Sequence, residues 1–130
     1  MTPSHSQAAI AYRQAASTVS PTMAVVRLYD KVILLTTQAI AAMEARRIEE
    51  SHKLITRASN ILKGLRGCID SRRGGALAEQ LSRMYTAQIV ALHSSFGTPD
   101  APERYRKLLI GLRDLREAWA VVAQKVNGGA

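Results

Sequence analysis

In the last third of the chain, Tyr105, Leu108, Leu112, Leu115, Trp119, Val122 and Val126 recur at alternating steps of three and four. That spacing lays them in one stripe along a helix, the a/d seam that a second helix packs against. Three earlier segments show helical periodicity as well, and no stretch of similar length alternates as a strand does. The fold class is therefore all-α. With 130 residues the chain has material for one core, and four helices joined by short breaks fit an antiparallel up-down four-helix bundle.

The predicted elements follow from their end signals. Ser20 and Pro21 read as an N-cap followed by proline at the first helical position, starting a helix that runs to about Ala45 and closes on "EARR", whose basic residues suit the negative end of the helix dipole. The second helix spans about Ile48 to Asp70. Its inner face carries Ile48, Ile55, Ala58, Leu62, Leu65 and Ile69, widened by Leu54, Ile61 and Cys68. "SRRGG" supplies a break, and the third helix runs from about Gly75 to Ser95 with Leu77, Leu81, Met84, Tyr85 and Leu92 on its packed side. Asp100 and Pro102 open the fourth helix. Residues 1–19 form a flexible leading segment with a candidate short helix or cap at "AAIAYRQAA", residues 20–126 the bundle, and 127–130 a tail.

The first helix poses the functional question. One apolar stripe runs through Val25, Leu28, Val32, Leu35, Ala39 and Ala42; a second, displaced around the helix, runs through Met23, Val26, Ile33 and Ile40. One stripe fills a core, and the other needs a cover. That cover is either the leading segment or the helix of a partner docked in a groove, and the two are compatible if the segment is a displaceable lid.

Composition narrows the chemistry. Eighteen Lys and Arg against 10 Asp and Glu give +8, enough to attract an acidic partner or nucleic acid. The basic pairs Arg46-Arg47 and Arg72-Arg73 fall at opposite ends of an up-down bundle, and the aromatics sit at apolar helical positions, so no phosphate-tracking stripe forms. A basic bundle binding nucleic acid or another acidic partner is the alternative reading. The single cysteine, Cys68, reads as a core residue in a reducing, cytoplasmic compartment. His5, His52 and His93 are scattered, so no metal site is expected. No nucleophile sits in a strand-turn-helix context, and Gly74-Gly75 lacks the rest of a phosphate loop; no enzyme activity and no cofactor are expected. The longest charge-free run near the start, "VILLTTQAIAAM", is too short and polar to span a membrane.

Four strings in order carry a resemblance: "SP" at Ser20-Pro21, "LYD" at Leu28 to Asp30, "GG" followed by "LAEQLSRMY" ending at Tyr85, and "LRDLREAW" ending at Trp119. Together they resemble the FliS family of flagellar secretion chaperones over almost the whole chain. The resemblance implies a helical bundle that holds the disordered C-terminal segment of flagellin in apolar grooves, preventing premature polymerisation before type III export. It implies the export apparatus or a co-chaperone as further partners. On this reading Tyr12, with Ile10 beside it, is the lid; Leu28 and Tyr29 line the groove or its floor with Met23, Val26 and Ile33; Asp30 satisfies a buried or partner backbone donor; and Leu77, Leu81 and Tyr85 belong to the helix after the glycines. Arg27 and Lys31 stand where the family often has an apolar residue and a glycine.

Overall fold

The computed structural model describes residues 21–69 and 71–128, with side chains over 22–69 and 74–125. Four helices follow in order: α1 (Pro21–Glu44), α2 (Ile48–Gly67), α3 (Ser71–Ser94) and α4 (Ala101–Gly128). Ser20, the expected cap of α1, lies outside the described residues, as do Ile10 and Tyr12. The far end of α1 closes by backbone geometry instead of by the charge of "EARR". Arg46 takes φ 60°, its N–H donates to the Met43 carbonyl at 3.0 Å, and the Arg47 N–H donates to the Ala42 carbonyl at 2.8 Å. This is a Schellman closure built without glycine, at a steric cost of about 1–2 kcal/mol.

The break at "SRRGG" is a bend, not a gap. Helical structure resumes at Ser71, and only Gly75, at φ 56° and ψ −132°, departs from it. A Cβ on Gly74 would meet the Ala78 Cβ at 2.5 Å, so both glycines are required where α3 changes direction.

Side-chain pairs fix the directions. Arg116 and Arg106 of α4 hold Asp30 and Glu44 of α1 at 2.8 and 2.9 Å, so a higher number on one helix faces a lower number on the other. Ser59 meets His93 at 2.7 Å and Arg66 donates to Thr86 at 3.1 Å, giving the same antiparallel sense to α2 and α3. α1 packs extensively on α2 and on α4, α2 packs on α3, and α3 and α4 approach each other at few points. The bundle is thus an up-down ring with one loosely closed edge.

The core is built from Val32, Leu35 and Ala39 of α1, Ile55, Ala58 and Leu62 of α2, Tyr85 and Leu92 of α3, and Tyr105 and Leu112 of α4. Each large side chain fully buried there contributes about 1.5–3 kcal/mol. Thr36, also buried, costs little because its hydroxyl donates to the Val32 carbonyl one turn back at 2.8 Å.

Both stripes of α1 are used. Val26 and Ile40, from the second stripe, are 2% and 5% exposed, and Ile40 joins the core cluster. Val26 and Tyr29, both expected at the groove or its floor, are buried, Tyr29 fully. Other expected core positions are exposed: Ile48 in the first turn of α2, Cys68 at its end, Leu77 and Met84 on α3, and Val122 on α4. In their stead Ala78, Leu109 and Ala123 are buried.

The Tyr105 hydroxyl donates to the carbonyl of Leu92, an oxygen in the last turn of α3 that the helix itself leaves without a partner. Tyr105→Phe strands that buried carbonyl and is expected to cost about 1–3 kcal/mol in urea unfolding at pH 7. Burial also pushes the Tyr105 hydroxyl up to about 12. An unfolded tyrosine ionises near 10, so this contribution is complete below pH 10 and is lost as pH rises towards 12. The stability difference between wild type and variant should narrow across that window.

Candidate functional site: an open edge between α3 and α4

Helical geometry places Leu77, Leu81, Met84 and Gln88, at steps of four, three and four, on the side of α3 that faces α4. The facing side of α4 carries Leu108, Leu115, Trp119 and Val122, four members of its a/d seam. Because the two helices touch at few points, this seam is never closed: Leu77 is 64% exposed, Met84 42% and Val122 41%. Leu81, Leu108, Leu115 and Trp119 are partly buried against the core.

At one end the edge deepens into a cleft of about 280 Å³, lined by Val25 of α1, Leu65 near the end of α2, Cys68 and Ile69 just past it, Gly74, Leu77, Ala78, Leu81 and Tyr85 of α3, and Trp119 of α4. None of these side chains is charged. The size lies just below the usual range for small-molecule pockets, about 300–1,000 Å³, and exposed Leu77 stands at its opening. Such a site accepts a few apolar side chains of a longer guest, and it offers nothing to hold a charged ligand.

The cleft floor is neutral and rigidly placed. Tyr85 stacks at a tilt on Tyr29, with ring centroids 6.1 Å apart, and the Tyr29 hydroxyl donates to Gln88 Oε1 at 3.2 Å. Burial pushes the pKa of both tyrosines up, so neither ionises near neutral pH. The Trp119 indole N–H is buried beside Tyr85 but closes no hydrogen bond of ordinary geometry. Among the described residues no group of three or more His, Cys, Asp or Glu is placed to hold a metal ion, and no helix is long and apolar enough to cross a membrane.

The structure divides the residues expected to bind a partner. It brings Leu77, Leu81 and Tyr85 together in the cleft. Val26 and Tyr29 are core, although Tyr29 supports the floor through Tyr85. Met23 is half-buried, and Leu28 and Ile33 are half-buried against the core. Asp30 is exposed and held by Arg116 on the α1/α4 side. Ile10 and Tyr12 lie outside the described residues. Sequence reasoning missed Val25, Leu65, Cys68, Ile69, Ala78 and Trp119 as cleft residues. All but Ala78 read as ordinary core from their apolar spacing, and the signal that marks them is the near absence of contact between α3 and α4.

Comparison with known proteins agrees with this architecture. The model of the family described as flagellar protein FliS matches residues 4–126. A flagellar secretion chaperone, FliSB, of Pseudomonas aeruginosa is 47% identical over 55 residues, covering 42% of this chain and 44% of that relative. The matched part thus spans less than half of the relative's length. With the family model covering nearly every residue from the leading segment to the last turns of α4, this chain belongs to the FliS family of flagellar proteins.

Proposed function

We propose that the chain is a cytoplasmic flagellar export chaperone, not an enzyme, that binds the disordered C-terminal segment of flagellin along the α3/α4 edge and keeps it from polymerising before export. The observation that carries this reading is the unclosed seam: Leu77, Met84 and Val122 stand exposed on facing sides of two helices that hardly meet. Family membership and the chaperone named among its relatives support the flagellar context.

The energetics set the form of the guest. A segment that folds on binding pays about 2–5 kcal/mol to become ordered, and association costs at least about 4 kcal/mol more. At about 25 cal/mol per Å², several hundred Å² of apolar surface must be covered before binding is favourable. The cleft alone is too small, so the guest continues along the edge. From Leu77 to Gln88 the α3 side runs about 16 Å, which is three turns of a guest helix presenting apolar residues at i, i+4 and i+7. No cofactor or nucleotide enters this scheme.

α1 begins at Pro21, and Val25, one turn in, is a cleft residue. Ile10 and Tyr12 are therefore proposed as the chain's own cover, displaced by flagellin. Deleting residues 1–15 should raise binding of a hydrophobic dye severalfold, and no rise would dismiss the cover.

Leu77→Asp and Leu81→Asp are expected to weaken binding of a flagellin C-terminal peptide at least tenfold, since losing one buried leucine costs about 1.5–3 kcal/mol. Leu77 is mostly exposed, so its variant should unfold at the wild-type midpoint. Trp119, the only tryptophan, and Cys68, the only cysteine, line the cleft and report occupancy: bound peptide should shift the indole emission to shorter wavelength and slow thiol alkylation. A folded Leu77→Asp variant with unchanged affinity would overturn the assignment.

A further inference from the structure

The ring of helices puts the α1/α2 edge opposite the α3/α4 edge, and its chemistry is different. On the outer side of α1, Arg27, Lys31, Leu34 and Gln38 follow at steps of four, three and four, all exposed, with Leu34 47% exposed. On α2, Lys53, Arg57 and Asn60 form a matching exposed row. One crevice of about 290 Å³ is lined by Gln38, Ala41 and Ala42 from α1 together with Leu54 and Glu50 from α2, so the two rows border a common crease. Since the helices are antiparallel, Leu34 and Lys31 continue it on one wall, and Arg57 and half-buried Ile61 on the other.

Unpaired cations gather at this crease, whereas several arginines on other sides are ion-paired: Arg83 with Glu79, Arg104 with Asp100, Arg106 with Glu44, Arg116 with Asp30 and Glu117. Arg27, Lys31, Lys53 and Arg57 make no ion pair among the described residues. Of the acids at the crease, Glu50 is already held by Arg47 at 3.3 Å. A run of unmatched cations bordering a furrow with an exposed leucine and half-buried Leu54 and Ile61 is complementary to an acidic helix with one apolar row.

We propose that the α1/α2 crease docks an acidic, amphipathic helix of a second protein, and does so while the α3/α4 edge is occupied. The apolar furrow favours a protein helix over nucleic acid, which needs a phosphate-spaced track or aromatic platforms, and the crease has neither. Nor does it suit a lipid surface, because a concave furrow offers its apolar residues to a rod and not to a plane. This inference does not depend on what binds the opposite edge.

The test uses the full chain and a labelled synthetic peptide of about 18 residues with leucine at one helical seam and glutamate elsewhere, followed by fluorescence anisotropy. Wild type should bind it, several times more weakly in about 300 mM than in about 50 mM salt. The triple variant Arg27→Glu, Lys31→Glu, Arg57→Glu should lose at least tenfold while keeping wild-type circular dichroism and wild-type affinity for the flagellin C-terminal peptide; Leu77→Asp should leave acidic-peptide binding unchanged. Equal binding of a scrambled peptide of the same composition, unchanged binding by the triple variant, displacement of the acidic peptide by the flagellin peptide, or tighter binding to a DNA duplex or phosphatidylglycerol vesicles would each overturn the proposal. If the flagellin peptide fails to bind while the acidic peptide behaves as stated, the reading of the α3/α4 edge falls and this one stands.

Discussion

Tyr29 of α1 reaches across the bundle's diagonal to Tyr85 of α3, and its hydroxyl is held by Gln88 on the same helix. These two large, fully enclosed rings occupy the space where smaller side chains would let four helices draw together. α3 is anchored through that diagonal and through α2, and it owes little to α4. The open edge is thus a property of the core, since α3 is placed mainly by that diagonal and by α2, and the seam of α4 reaches it at few points, Tyr105 at Leu92 among them.

The surface divides along the same lines. Exposed ion pairs such as Arg104 with Asp100 contribute little to stability, about 0–1 kcal/mol each, and they neutralise the sides on which they lie. Among the described residues, Arg27, Lys31, Lys53 and Arg57 of α1 and α2 make no ion pair. Of these, Arg27 and Lys31 stand on either side of "LYD".

The helices, their antiparallel order and the inner stripe of α1 were legible from residue spacing, because period and punctuation are local properties. Neighbours are not local. The second stripe of α1 carries the same pattern whatever covers it; Ile40 joins the core cluster, and Val26 is buried as well. The seam of α4 reads as core by the same reasoning, yet Val122 is exposed because α3 does not come close enough to cover it. "SRRGG" announced a break correctly in kind, but a sharp turn of one glycine, with helix on both sides, looks the same in sequence as an end. Of the expected partner-binding residues, the α3 trio gathers in one cleft, whereas most of the α1 set serves the interior.

The exposure of Leu77, Met84 and Val122 has an evolutionary corollary. Side chains that bury little in the free protein are almost invisible to selection for thermal robustness, and a screen for hardier variants would pass over them or replace them with more soluble residues. Such a screen would yield a sturdier bundle and erode its usefulness together, with no sign of harm until the molecule was asked to hold something.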